Sequence, residues 1–324
     1  MRESTYVDAL GEALREEMHR DERVVLIGEE IGIFEGAYKV TKGLLKEFGP
    51  KRVMDTPISE TAIAGAAIGA ALTGLRPVAE IMYMDFLPIC LDQIATQAAK
   101  MHFMSGGKLR VPMVLRTQYS LGRVHGSQHS QFFPSLFFQV PGVQVVLPST
   151  PADAKGLLKA SIREENPTIF IESAMLYRTK GPIPEGEYVI PLGKCDIKRK
   201  GDDLTIVAVS RVVNEALSAA AKLEEQGIGA EVIDPRTIQP LDMETIVDSV
   251  KRTGRLIVAS DDVKSGGIGS EIAARMVEES FDLLDAPILR VACADMPIPF
   301  SQTLEQAFMP DAEKIVKAAK KLFT

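Results

Sequence analysis

The 324-residue sequence has no tryptophan, and its three cysteines stand far apart without a C-x-x-C pair. Cys90, Cys195 and Cys293 therefore argue against a disulfide framework or a zinc site, and they predict a reducing compartment, the cytoplasm. The formal net charge of −7 leaves no basic footprint for nucleic acid. The longest apolar run, Ala62 to Leu75, is interrupted and too short to cross a bilayer. The charged N-terminus predicts that no signal peptide is present.

Short aliphatic runs alternate with amphipathic segments along the chain. Val24–Gly28, Arg76–Met82 and Val111–Arg116 are typical of buried parallel strands, whereas Tyr6–Arg20 and Phe86–Met104 are typical of helices. Strands that alternate with helices indicate a mostly parallel sheet covered on both faces. The sequence therefore predicts the α/β class.

The composition changes after Lys180, where prolines and glycines accumulate without a helical period. A second alternation of strands and helices begins at Leu204–Val209. We therefore predict two doubly wound domains, residues 1–185 and 201–324, joined by a linker at 186–200.

The segment Asp55–Glu60 leads into a run of small apolar residues that extends to Leu72. Small residues recur at three- and four-residue spacing, so one helix face has almost no side-chain bulk and can be approached closely. They are Ala62, Gly65, Ala66, Gly69 and Ala70. Two interpretations of Glu60 fit this pattern. It is either a functional carboxylate at a close contact or an acid that the helix dipole favours at this end.

A long polar loop, Arg116–Gln131, follows a predicted parallel strand, and sites in open α/β sheets collect at the carboxyl ends of strands. His125 and His129 lie in it. Glycines on both sides of His125 disfavour the helix that a metal pair at this spacing needs. His129 is interpreted either as a proton donor fixed by polar neighbours or as a structural histidine, and His125 as a solvated residue.

A second glycine-rich loop, Lys264–Glu271, could hold a phosphate or be an ordinary turn, since the dinucleotide motif G-x-G-x-x-G is not matched. The sequence also lacks a Gly-Asp-Gly segment followed by paired asparagines, and hence an obvious magnesium-diphosphate site.

Taken together, these residues resemble the β subunit of the thiamine-diphosphate-dependent decarboxylating (first) component of 2-oxo acid dehydrogenase complexes. The likeness covers essentially the whole chain. The motifs that carry it are Asp55–Glu60, Glu80–Phe86, Asp92–Ile94, Gln128–Gln131, Val145–Gly156, Asp234–Thr237 and Pro299–Phe300. It implies a transketolase-like pyrimidine-binding domain followed by a transketolase C-terminal-like domain, the latter mainly for assembly.

The resemblance also implies roles for particular residues. Glu60 would hydrogen-bond the pyrimidine ring of thiamine diphosphate, with Phe86 and Ile58 lining the same site, and His129 would assist acyl transfer to a lipoyl group. The family works as an α2β2 heterotetramer with a lipoyl acyltransferase component, and its α subunit holds the diphosphate and the magnesium ion. Carbonyls near Ser161, Glu164 and Asn166 would hold a structural potassium ion.

Within this family the chain is most similar to the acetoin dehydrogenase branch. The supporting segments are Asp85–Leu87 with Cys90, Arg116–Gln118, Lys180–Gly181 with Pro184–Gly186, and Pro299–Ser301. Val124–Gly126, Pro88 and Tyr119 depart from the expected pattern at positions where a substrate would lie. Pyruvate and branched-chain 2-oxo acids are therefore alternative substrates, and a non-catalytic assembly subunit is an alternative of another class.

Overall fold

The structure, a computed structural model, describes residues 1–323, which divide into two compact units. The first unit comprises residues 1–120 and 136–192, and the second comprises residues 121–135 and 193–323. The polar loop that contains both His125 and His129 therefore groups with the C-terminal part of the chain. We call residues Leu121–Ser135 the histidine loop.

The first unit is built around a parallel sheet. Its strands are β1 (Arg2–Thr5), β2 (Val24–Glu29), β3 (Val53–Thr56), β4 (Arg76–Ile81), β5 (Val114–Tyr119), β6 (Gln144–Val146), β7 (Thr168–Ser173) and β8 (Lys180–Ile183). Its helices are α1 (Tyr6–Arg20), α2 (Leu44–Phe48), α3 (Glu60–Leu72), α4 (Ala99–Met104) and α5 (Pro151–Arg163). The parallel strands lie in the order β6-β7-β5-β4-β2-β3, and β1 pairs with β8 as an antiparallel ribbon.

Helix α1 shows how local sequence and packing agree in this unit. The Thr5 side chain accepts a hydrogen bond from the Asp8 N–H and so caps the helix. The face that carries Tyr6, Leu10 and Leu14 is fully buried in the core beneath the sheet. The predicted helix over Tyr6–Arg20 is confirmed.

The second unit has its own mostly parallel sheet of five strands. The strands of this unit are β9 (Asp196–Arg199), β10 (Leu204–Ala208), β11 (Ala230–Asp234), β12 (Thr237–Gln239), β13 (Leu256–Val263) and β14 (Leu289–Cys293), and β12 lies outside that sheet. Its helices are α6 (Val212–Glu224), α7 (Met243–Thr253), α8 (Ile268–Ser280), α9 (Gln302–Phe308) and α10 (Ala312–Lys320). The sheet order is β14-β13-β10-β11-β9, and only the pairing of β9 with β11 is antiparallel among these neighbours. The predicted α/β class is confirmed.

The stretch Phe86–Met104 is helical, as predicted, but it is not a uniform α-helix. Met84–Cys90 forms a 3₁₀ segment, Gln93–Ala98 a π-helical turn, and Ala99–Met104 an α-helix. Pro88 lies inside the first segment, where it cannot donate a backbone hydrogen bond. The sequence pattern of the whole stretch is helical, but it does not distinguish these helix types.

The segment predicted as a linker contains regular structure as well. β9 lies within 186–200 and adds an antiparallel edge strand to the second sheet. Within residues 1–323, no helix is long and apolar enough to cross a membrane.

Candidate active site

The N-terminus of α3 places Glu60 beside the 3₁₀ segment that carries Phe86. Glu60 is the first residue of the helix, and the Thr61 hydroxyl next to it donates a hydrogen bond to the Ile89 carbonyl at 3.0 Å. The side chains of Glu60 and Phe86 are both half-buried, and Ile58 is 74% exposed. The start of α3 and the segment of Phe86 are therefore in contact, and the assignment of Glu60, Phe86 and Ile58 to one cofactor site stays a prediction.

Helix α3 begins without a side-chain cap. Ser59 occupies the N-cap position of α3, but its side chain makes no capping hydrogen bond. The acid at the first position therefore acts on the helix end through its charge rather than as part of a capping box.

Acidic groups accumulate around Glu60. Burial, and then the charge of Glu60, raise the pKa of Glu29, with Glu30 and Glu80 adding to the effect. Burial raises the pKa of the Cys90 thiol to about 12, again with a contribution from Glu60. Carboxylates held close together favour a ligand that offers protons or positive charge. A nitrogen heterocycle with ring N–H and amino groups meets that requirement.

Two buried polar atoms near this helix are left for a ligand. The Thr56 hydroxyl and the Gln93 side-chain carbonyl have no hydrogen-bond partner within residues 1–323. Gln93 also lies against α3, because a Cβ added at Gly65 would stand 3.9 Å from its side chain. Such atoms are costly to bury unless something pairs with them. The local chemistry therefore fits a polar ring bound next to Glu60.

Asp55 organises the loop on the other side of the motif. Its carboxylate accepts hydrogen bonds from the backbone N–H groups of Gly32 and Ile33, the latter at 2.9 Å. Gly32 is required here, since a Cβ at that position would approach the Asp55 carboxylate to 2.7 Å.

A buried ion network lies under the sheet of the first unit, and sequence reasoning missed it. Arg116 pairs with Glu80 at 2.7 Å and with both oxygens of Glu172 at 2.7 and 2.9 Å, and the Tyr177 hydroxyl donates to Glu172 at 2.8 Å. Burial raises the pKa of Glu172, while Arg116 opposes that effect. The network ties β4, β5 and β7 together. The signal in the sequence is a charged residue inside each of these three strands, Glu80, Arg116 and Glu172.

The histidine loop is held within the second unit. The Glu305 carboxylate accepts the backbone N–H groups of Gly122 and Val124, both at 2.9 Å. His125 is exposed, whereas His129 is half-buried. Burial, together with the charges of Arg123 and His129, lowers the pKa of His125, and Glu305 works in the opposite direction.

A carboxylate that precedes the glycine-rich loop Lys264–Glu271 binds the backbone at the start of the following helix. The Asp262 carboxylate accepts the Ile268 N–H at the start of α8, and a Cβ on Gly267 would meet that carboxylate at 2.7 Å. This carboxylate lies where a phosphate would have to bind, so the ordinary-turn interpretation of the loop is the better one.

The residues proposed around a potassium ion lie at the end of α5. The Glu164 carbonyl accepts a hydrogen bond from Nη1 of Arg76 at 2.9 Å. The Ser161 carbonyl accepts a hydrogen bond from the Glu164 N–H at 3.3 Å. Asn166 is exposed. Potassium binding by Ser161, Glu164 and Asn166 stays a prediction. Within residues 1–323, no group of three or more His, Cys, Asp and Glu side chains is arranged to hold a metal ion.

Comparison with family models matches both units. Residues 2–180 match the transketolase pyrimidine-binding domain, and residues 193–315 match the transketolase C-terminal domain. The fold is also similar to that of a split-gene transketolase, solved as an inactive β4 tetramer. The TM-score is 0.81 at 23% identity, over 98% of this chain and 97% of the other.

Several curated proteins match over nearly their whole length. The acetoin:2,6-dichlorophenolindophenol oxidoreductase subunit beta of Bacillus subtilis (strain 168) is 47% identical, over 97% of this chain and 96% of that protein. The 2-oxoisovalerate dehydrogenase subunit beta of the same organism is 45% identical over 98% of both chains. The mitochondrial pyruvate dehydrogenase E1 component subunit beta of Caenorhabditis elegans is 47% identical, over 98% of this chain and 92% of that protein.

The two matched domains define a transketolase-like protein of a thiamine-diphosphate-dependent family. Within that class, the chain belongs to the family of E1 β subunits of 2-oxo acid dehydrogenases, with the acetoin, branched-chain and pyruvate relatives equally similar to it.

Proposed function

We propose that the chain is the β subunit of an acetoin dehydrogenase that works with an α subunit in an α2β2 heterotetramer. The complex would cleave acetoin oxidatively and pass the acyl unit to a lipoyl domain of an acyltransferase component, or its electrons to an artificial acceptor. The observation that carries the proposal is Glu60, half-buried at the first turn of α3 beside the segment of Phe86.

Thiamine diphosphate, when bound, supplies the nucleophilic carbon for attack on the substrate carbonyl. Glu60 would hold and exchange a proton with the pyrimidine ring, and Phe86 would pack against the ring with Ile58 at its edge. The α subunit would hold the diphosphate and the magnesium ion. This division fits a sequence with no Gly-Asp-Gly segment followed by paired asparagines.

His129 would act in the second half-reaction. A half-buried imidazole can donate or accept a proton near neutral pH, so it is suited to protonate the sulfur that leaves when a lipoyl disulfide opens. The alternative is a histidine that only stabilises the loop.

The identity of the substrate is the most specific part of the proposal. The acetoin assignment rests on the segments Asp85–Leu87, Arg116–Gln118 and Pro299–Ser301. β subunits for pyruvate and 2-oxoisovalerate are 47% and 45% identical, against 47% for the acetoin relative, so both acids are kept as alternatives.

The test is to purify the chain with an α subunit from the same genome and to compare acetoin, pyruvate and 2-oxoisovalerate with an artificial electron acceptor. We expect the highest kcat/KM for acetoin. A preference for either 2-oxo acid would reassign the branch. A correctly assembled complex without activity toward any of the three would favour the non-catalytic alternative.

A further inference from the structure

The histidine loop is anchored to one segment of the second unit, residues 298–305, through four loop residues that all precede His129. Glu305 accepts the N–H groups of Gly122 and Val124, each at 2.9 Å. The Ser127 hydroxyl donates to the Ile298 carbonyl at 2.6 Å. A Cβ at Gly126 would stand 3.1 Å from the Phe300 ring, so the backbone and the ring are in close contact.

The backbone between these anchors is in an unusual conformation. Gly122 has φ +92°, and Val124 has φ +59°. A β-branched residue rarely adopts positive φ, and it stays there only where the surrounding structure holds it. Two N–H groups that point to one carboxylate make a concave anion site, and here the anion is part of the chain.

Burying the Glu305 carboxylate is energetically unfavourable, which indicates that the contact with the histidine loop needs its charge. Glu305 is 1% exposed, and burying a carboxylate is unfavourable unless strong hydrogen bonds replace its hydration. An apolar residue would fill the same space on α9 but would leave both N–H groups unpaired. The contact therefore determines the shape of the loop and not merely its packing.

We propose that Glu305 is a positioning residue for acyl transfer: through Gly122 and Val124 it fixes the backbone of the loop that carries His129. This inference rests on the proposed function of His129. It also gives the C-terminal unit a part in the chemistry, beyond assembly.

The first test measures the loop itself, by amide hydrogen exchange on the full-length chain. Glu305→Gln keeps one accepting oxygen, and Glu305→Ala keeps none. We expect exchange in residues 121–127 to rise about tenfold in the alanine variant and less in the glutamine variant. Glu231→Gln is the matched control, because Glu231 is also a buried glutamate of the second unit but pairs with Arg252. Unchanged exchange in Glu305→Ala would overturn the proposal.

The second test compares two activities of the complex with its α subunit. We expect Glu305→Gln to slow acylation of a lipoyl domain by about 10²-fold, as a misplaced catalytic group does, with little change in turnover with the artificial acceptor. Equal losses in both assays would show a merely structural role and overturn the proposal. Ser127→Ala, which removes a different anchor and leaves Glu305 intact, should show the same selective loss if a Glu305 variant fails to fold.

The proposed function of the complex and the positioning role of Glu305 can be disproved independently. If the wild-type complex does not acylate a lipoyl domain at all, the proposed function is wrong, and the hydrogen-exchange test still decides whether Glu305 fixes the loop. If the wild type acylates normally and Glu305→Gln does too, only the positioning role is wrong.

Discussion

Glu60 can be tested with a change of one atom, because glutamine keeps its size but cannot take up a proton. We expect Glu60→Gln to lower turnover of the complex by about 10²-fold or more, the usual cost of losing a proton-transfer partner, with the melting temperature unchanged. Steady-state assays with the artificial acceptor measure this. Glu22→Gln, at an exposed position of the same unit, is the control. Wild-type turnover by Glu60→Gln would reduce Glu60 to a helix-dipole residue.

His129 makes a different prediction, because its proposed role concerns only one half-reaction. His129→Ala should retain turnover with the artificial acceptor and lose most acylation of a lipoyl domain. His125→Ala, on the same loop but exposed, is the matched control and should retain both. A parallel fall in both activities, together with a lower melting temperature, would support the structural interpretation of His129.

Asp262 should make the free energy of unfolding depend on pH. Burial raises its pKa to about 6 in the folded chain, so the folded state holds this proton more tightly than the unfolded state. The resulting stabilisation is complete below the unfolded pKa of about 3.9 and is lost as the pH rises through about 6, an effect of about 2–3 kcal/mol. Between about pH 4 and pH 7, the free energy of unfolding should therefore fall more steeply for the wild type than for Asp262→Asn. Urea unfolding at several pH values tests this, and parallel curves would contradict it.

At the scale of the element, α3 presents a small-residue face that is open at Gly69 and is touched at Gly65 by the Gln93 side chain. Gly65 and Gly69 are exposed, and a Cβ at Gly69 would meet nothing within 4 Å. We predict that this face packs against another subunit, where overpacking costs typically about 1–3 kcal/mol.

The double variant Gly65→Leu, Gly69→Leu should therefore fold as a chain but fail to assemble, as measured by light scattering on the purified complex. Ala221→Leu, an exposed small residue on α6, should assemble normally. A tetramer of normal mass and stability from the double variant would show that the face is free.

The elements differ in how far the sequence predicts them. Helix α1 could be placed to the residue, because a cap and an apolar face agree over its whole length. The stretch Phe86–Met104 could not, because helix type depends on which carbonyl each N–H reaches, and Pro88 removes one donor from the pattern. Strand β9 was missed because an edge strand of four residues is too short to show alternation.

At the scale of the whole molecule, the sequence predicts residues that lie within one short motif better than contacts between residues far apart in the chain. Glu60 and Phe86 could be proposed for the site because each lies in a short motif on its own element, and their roles stay predictions. Glu305 could not be found, since it lies 183 residues from Gly122 and only tertiary folding brings the two together. The sequence predicts that Arg116 begins a loop. Its pairing with Glu80 and Glu172 could not be predicted, because it depends on the register of three neighbouring strands.

The proposed division of the cofactor site between subunits gives the last prediction. The proposal gives this chain a carboxylate and an aromatic residue for a pyrimidine ring, and residues 1–323 contain no cluster of His, Cys, Asp and Glu suited to a metal ion. Diphosphate binding relies on a metal or on dense positive charge, so the isolated chain should bind thiamine diphosphate weakly, and added magnesium should not tighten it. Titration calorimetry on the full-length chain, alone and after addition of an α subunit, measures this. Glu60→Gln in the complex is the control that separates loss of the ring contact from loss of assembly. Tight, magnesium-dependent binding by the chain alone would mean that it holds the diphosphate itself, and the shared-site proposal would then be wrong.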